Sequence, residues 1–318
     1  MSEADACHRF VFRAMACDNE LQLVGDAAAA ARMAEQVMAE VRRIEAKYSR
    51  YRADSVVARI NGSAGGEPVT IDLETERLLD YAHAAWLQSS GRFDITSGVL
   101  RQVWDFRRAR LPDDALLARA LRRIGWDKVE RGPGWVRLPE AGMELDFGGF
   151  GKEYAVDSTA DLCLAAGWRQ GLVNLGGDLR VLGPQADGRP WRIGLRHPRA
   201  PEQVLATVLL SEGGLASSGD YERYMDVAGR RYCHILDPHS GYPSQGWQSV
   251  SVTATRCLLA GTVSTVAMLH DAAGGLDWLR RCGQPYLAVA VDGSVHDGFP
   301  VRQNEHEVPC MPQPASQS

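Results

Sequence analysis

The chain has no stretch approaching the ~20 consecutive apolar residues of a membrane-spanning helix, so a membrane partner is not expected. Met1–His8 carry two acids and no apolar core, which excludes a secretory signal in that segment. Cysteine is sparse and scattered: Cys7, Cys17, Cys163, Cys233, Cys257, Cys282 and Cys310 include no pair at metal-finger spacing. An odd count without a leader predicts reduced thiols and a cytoplasmic location. Basic charge is also short. The net charge is −5 and no basic run or basic helix face stands out, which argues against a nucleic-acid partner. There is no Walker pattern, no dinucleotide fingerprint, no internal repeat and no composition shift. Residues 1–302 are therefore read as one domain, and the polar, Pro-rich stretch 303–318 as a disordered tail.

What is present is a mixture of helical and strand patterning. Ala27–Tyr48 places Ala30, Met33, Ala34, Val37, Val41 and Ile44 on one face, and Leu73–Gln88 repeats the pattern with Leu78, Leu79, Ala82, Ala85 and Trp86. Pro112–Ile124, with acids first, arginines last and Gly125 behind it, follows capping and dipole rules. Helices are also expected over Glu153–Ala166, from Cys257 to about Leu269, and over Gly275–Cys282. Phe10–Phe12 with Leu21–Val24 reads as a β-pair. Gly171–Asn174, Trp191–Leu195, Ala206–Leu210, Gly214–Ser218, Val250–Ala254 and the hairpin around Asp292-Gly293 read as further short strands. The expected fold is α+β: mainly antiparallel sheets with peripheral helices.

Leu145–Asp157 is the stretch most suggestive of chemistry. The apolar run Met143–Phe147 reads as a strand with one acid in it, followed by Gly148, Gly149 and Gly151, then Lys152 and a helical run. Glycines let backbone N–H groups approach a ligand, a helix N-terminus favours negative charge, and the lysine adds a full positive one. That combination can cradle phosphate. A tight strand-to-helix turn with a solvated lysine would look the same.

The segment resembles the Asp-x-x-x-x-x-Lys-x-Tyr-Ala-Val-Asp signature of the ApbE-type FAD:protein FMN transferases. Further segments are similar to that family and in its order. They are Arg50–Ser55 with Ile60-Asn61, Gly91–Thr96, Val173–Asp178, Ser217–Tyr221, His234–Pro238 with Gly241 and Pro243, and Val250–Met268. The resemblance implies an enzyme that moves FMN from FAD onto a threonine hydroxyl of a target protein, releasing AMP, with Mg²⁺. The target threonine would lie in an Asp-Gly-x-Thr-Ser-Ala-Thr-like motif. This chain has no such motif, so self-modification is not expected.

By the same resemblance His234 is the base that takes the hydroxyl proton, its tautomer fixed by Asp237 or a backbone carbonyl. Met15, Tyr51, Arg92, Phe93, Asp94, Asp146, Lys152 and Ile235 are FAD contacts, and the carbonyl of Gly149 and the hydroxyl of Thr265 are metal ligands. Read from the residues alone, Met15 could equally fill core space and His234 could equally end a strand before a turn. One position departs from the family. Its Ala-Asp-x-x-x-Thr is here Ala260-Gly261-Thr262-Val263-Ser264-Thr265, which removes a metal carboxylate. Another acid could reach the site, Glu153 or Asp271, or FAD and water could hold the metal. The alternative function is a non-catalytic FAD-binding protein, or an FAD pyrophosphatase.

Overall fold

A computed structural model describes residues 6–299, so the 303–318 tail lies outside the described residues. The chain opens with a hairpin, β1 (Cys7–Ala14) and β2 (Cys17–Val24), followed by α1 (Ala27–Tyr48), α2 (Val56–Gly62), β3 (Val69–Thr70) and α3 (Leu73–Gln88). A 3₁₀ segment at Ile95–Gln102 precedes α4 (Asp114–Leu121), β4 (Glu130–Gly132), β5 (Trp135–Arg137) and α5 (Gly151–Ala165). Strands β6 (Gly171–Leu175), β7 (Asp178–Gly183), β8 (Trp191–Arg196), β9 (Val204–Leu210) and β10 (Gly213–Gly219) come next. They are followed by β11 (Tyr224–Val227), β12 (Arg230–Cys233), β13 (Trp247–Ala254), α6 (Cys257–Met268), α7 (Ala272–Cys282), β14 (Tyr286–Ala290) and β15 (Val295–Asp297).

Eight strands form one antiparallel sheet in the order β1-β2-β6-β7-β10-β13-β14-β15. Its inner strands bury both faces, and alternation along each strand sorts the side chains. Val173, Leu175, Ala216 and Ala288 point into the main core under the helices, while their neighbours Leu172, Leu215 and Leu287 join Trp191, Leu195 and Val208 of the β8–β9 hairpin. Helix α5 lies against β6 and β7, and α6 against β10 and β13. Their starts are thereby brought over the same central strands. The fold is α+β, as the sequence pattern predicts.

Asp26 caps α1 by accepting from the Ala29 N–H at 2.8 Å, and Asp72 caps α3 through the Thr75 N–H at 3.0 Å. Both helices keep the bounds their periodicity predicts. Helix α4 is shorter than Pro112–Ile124 because Asp113, accepting from Ala115 and Leu116, is the cap.

One expectation is corrected. Met143–Phe147 is extended but is not a strand: the Asn61 side chain takes both backbone groups of Leu145, at 2.7 and 2.9 Å, and the Asp146 N–H donates to the Ile95 carbonyl at 2.8 Å. A side chain and a single carbonyl replace the partner strand.

The β1–β2 turn is made by Met15 (φ 53°) and Ala16 (φ 61°), both left-handed without being glycine. A Cβ in this region costs about 1 kcal/mol. Ala16, which is exposed, is therefore expected to stabilise the chain when changed to glycine. The expected gain of about 1 kcal/mol corresponds to a rise in Tm of about 2 °C by scanning calorimetry.

Candidate functional site

The glycine bend leads directly into α5, whose start carries no side-chain cap; the Gly151 N–H donates to the Phe147 carbonyl at 2.6 Å, which leaves the N–H groups of Lys152 and Glu153 for another acceptor. Lys152 stands in that first turn. Its Nζ is 2.7 Å from Oδ2 of Asp178, the residue that follows the Gly176-Gly177 turn. Asp178 is almost fully buried and also accepts from the Ser217 N–H at 3.1 Å. Burial would discharge Lys152, but Asp178 and then Glu153 outweigh it and hold its pKa above the ordinary lysine value. Lysine has three donors, so one pair leaves two for a ligand. The lysine predicted as a cradle cation is thus held by Asp178, with a third of its side chain still exposed.

The hairpin tip at Met15–Cys17 sits beside this pair. A Cβ on Gly176 would lie 2.9 Å from Cys17 Sγ and 3.7 Å from Lys152 Nζ, so the left-handed glycine turn (φ 61°) also needs its missing side chain for space. Met15 is half-buried, and its backbone N–H donates to Glu45 at 2.9 Å.

At the other end of the bend, Asp146 forms an ion pair with Arg50 and accepts from the Gly148 N–H at 2.9 Å. It packs so close to Gly98 that a Cβ there would lie 2.7 Å from its own. Arg50 in turn stacks on Tyr51, 5.0 Å from the ring centroid, and donates to its hydroxyl at 2.9 Å. Tyr51 is 77% exposed, an aromatic face open to a planar ligand.

His234 follows β12. Its backbone N–H donates to the Arg223 carbonyl at 2.9 Å, and its Nδ1 lies 3.3 Å from the same oxygen. That contact favours hydrogen on Nδ1 and leaves Nε2 as the free base. Asp237 does not share this task. It accepts from the His239 N–H at 2.9 Å and meets Arg92 at 3.4 Å. His234 is exposed. Desolvation, then Arg223, and more weakly Lys152 and Arg50, push it down to about 4, against the carbonyl contact, which acts upward. The direction rests on three cations as well as on crowding, so it stands although part of the ring meets water. Lys152 and Arg50 are the weakest of these causes.

The remaining predicted residues have placements of their own. Arg92 donates to the Leu269 carbonyl at 3.1 Å, tying the 91–96 loop to the end of α6. Phe93 is buried, its ring 6.1 Å from that of Phe150 and against Gly149 of the bend, and its N–H donates to the Ser89 hydroxyl at 2.9 Å. Asp94 caps the 3₁₀ segment, accepting from the Thr96 N–H and hydroxyl and from the Trp126 N–H, while burial raises its pKa. Ile235 packs on the main core. Gly149 is exposed, and Thr265, half-buried on α6, pairs its hydroxyl with Ser218 at 3.0 Å. A separate cleft of about 630 Å³, lined by Trp86, Asp94, Asp127, Pro238 and His239 among others, does not include Asp146, Lys152 or His234.

Two residues outside the sequence-based set matter here: Arg50, which pairs with Asp146 across 96 positions, and Asp178, which pairs with Lys152. A charged residue beside Tyr51, and an acid just after a Gly-Gly turn, were the only local hints.

Such a site can hold a phosphate-bearing ligand at the start of α5, present a stacking face at Tyr51 and receive a proton at His234. Comparison with known proteins gives the family. A model of the ApbE family matches residues 15–289. The FAD:protein FMN transferase of Treponema pallidum is 31% identical over 269 residues, covering 76% of this chain and 74% of that protein. One from Klebsiella pneumoniae is 36% identical over 232 residues, covering 71% and 72%. Among solved structures, the ApbE protein of Thermotoga maritima aligns with a TM-score of 0.86 at 30% identity, over 92% of this chain and 97% of that one. The apo flavinyl transferase ApbE of Pseudomonas stutzeri aligns at 0.83 and 28%, over 93% and 95%. This chain belongs to the ApbE family.

Proposed function

We propose that the protein is an FAD:protein FMN transferase: a single domain that moves FMN from FAD onto a threonine hydroxyl of a partner carrying an Asp-Gly-x-Thr-Ser-Ala-Thr-like motif, and releases AMP. The observation that supports this reading is the pair of cations on the glycine bend, Lys152 held by Asp178 at the uncapped start of α5 and Arg50 held by Asp146, in a chain whose relatives are FAD:protein FMN transferases. Lys152 and the first-turn N–H groups of α5 hold the pyrophosphate, Tyr51 and Met15 bracket the ring systems, and the Gly91–Thr96 backbone and Asp146 orient the nucleotide. The threonine oxygen bonds to the phosphorus of the FMN half while the bond from that phosphorus to the AMP phosphate oxygen breaks. The hydroxyl proton passes to Nε2 of His234, and AMP departs with the bridging oxygen.

Among the described residues no three His, Cys, Asp or Glu side chains cluster as a metal site, so Mg²⁺ needs mixed oxygen donors. Oε2 of Glu153 is buried without a hydrogen-bond partner, and together with the Gly149 carbonyl and the Thr265 hydroxyl it would offer Mg²⁺ hard oxygen donors. When bound, the ion supplies positive charge to the pyrophosphate.

The test mixes the protein with FAD, Mg²⁺ and a partner bearing the threonine motif, and reads flavin fluorescence of the denatured partner in a gel. A dark partner band overturns the reading; FAD retained intact, or cleaved to FMN and AMP without labelling, would then identify the alternatives. A pH series adds a second result. Protonation of His234 as pH falls removes the base, and its site pushes it down to about 4, below the ordinary 6.5. kcat/KM for FAD is therefore expected to stay level from about pH 6 to 8, with its acid limb displaced well under pH 6.5. An acid limb at or above 6.5 would contradict the assignment.

A further inference from the structure

The geometry points to Glu153 as the carboxylate that replaces the one missing at position 261, delivered from α5 instead of α6 to a divalent cation beside the pyrophosphate. The inference rests on the transferase reading and goes beyond it to a residue specific to this chain.

Gly261 is buried, and a Cβ built on it would lie 2.6 Å from Cγ and 2.7 Å from Oε1 of Glu153. The Glu153 side chain therefore occupies the volume into which any side chain at 261 would grow. The two positions exclude each other's side chains, and this chain has kept the acid on the α5 side.

Packing against Gly261 accounts for the volume of the side chain but gives its carboxylate no hydrogen-bond partner. Glu153 is buried, yet its Oε2 has no hydrogen-bond partner. An unpartnered carboxylate oxygen of this kind is costly and uncommon. The neighbouring cation, Lys152, is already engaged by Asp178 at 2.7 Å. Thr265 lies one helical turn beyond Gly261, on the same face of α6, so the Glu153 carboxylate and the Thr265 hydroxyl converge from two helices. Gly149 sits in the bend just before α5. A hard divalent cation satisfies the unpartnered oxygen and uses the other two donors.

FAD fluorescence quenching with and without Mg²⁺ tests this on the full chain. In the unaltered protein Mg²⁺ is expected to tighten FAD by about tenfold or more. In Glu153→Gln, which keeps the side-chain shape, the affinity without Mg²⁺ stays and the gain from Mg²⁺ falls to about twofold or less. Mn²⁺ alone, followed by electron paramagnetic resonance, gives a readout without flavin: bound by the parent, lost in Glu153→Gln. A Mg²⁺ gain or Mn²⁺ binding that persists in Glu153→Gln overturns the inference, as does a parent that binds no metal by either measure. The exchange Glu153→Gly with Gly261→Asp is expected to restore the Mg²⁺ gain; a folded double variant without it also overturns the shared position. Absence of FAD binding by the parent would sink the transferase reading, while the Mn²⁺ measurement would still decide the role of Glu153.

Discussion

Replacing His234 with alanine is expected to lower FMN transfer by roughly 10²–10⁴-fold while leaving FAD affinity within about twofold. The split follows from what the ring does and does not touch. Its Nδ1 faces the Arg223 carbonyl and its Nε2 faces outward, so it contributes a lone pair for the attacking hydroxyl and little to holding the dinucleotide. The backbone at 234 is fixed independently, by its own N–H to Arg223 at 2.9 Å, and Ile235 remains anchored in the core. Truncation should therefore leave the turn in place. Single-turnover transfer to the partner measures the first quantity, and fluorescence quenching the second. Equal losses in both would make His234 a binding residue, and an undiminished rate would remove it from the reaction.

The parts of this arrangement that could be read from the chain are those written in local pattern. α1 and α3 have long apolar faces and an aspartate at each start, so their ends were predictable to the residue. The strands of the sheet's centre carry continuous or alternating apolar residues between glycines. What could not be read is whatever depends on partners far along the chain. Asn61 stands in for a β-strand opposite Leu145, 84 positions away, and no periodicity announces that. α2 has seven residues and only Val57 and Ile60 buried, too few to show a helical face. The site shows the same division. Lys152 and Asp146 were visible as charges around a glycine bend, but their partners Asp178 and Arg50 are set by how β7 and the end of α1 meet that bend. The contact between Glu153 and position 261 depends on α5 and α6 packing against each other above neighbouring strands, and it changes what an obvious experiment means. Gly261→Asp alone drives a side chain into Glu153, so a cost of about 1–3 kcal/mol from overpacking would mask any gain in metal binding. Only the paired exchange separates the two effects.

Lys152→Met carries the second large effect, and it acts on stability and binding together. The methionine keeps the length of the side chain but leaves Asp178, 3% exposed, without the cation 2.7 Å away, and leaves Glu153 beside it. Breaking a buried ion pair from one side costs about 3–5 kcal/mol because the other charge stays desolvated. Lys152 keeps a third of its side chain exposed, which lets water screen the pair, so about 2–3 kcal/mol is expected here. At this chain length that is a fall in Tm of roughly 4–6 °C in scanning calorimetry. FAD should bind at least about tenfold more weakly, because the two remaining donors of the ammonium group are lost to the pyrophosphate. The double change Lys152→Met with Asp178→Asn separates the two roles. Removing the stranded carboxylate is expected to recover most of the Tm, whereas FAD affinity stays low because the cation is still absent. Recovery of FAD affinity along with Tm would mean that the lysine serves Asp178 alone and that the cradle does not depend on its charge.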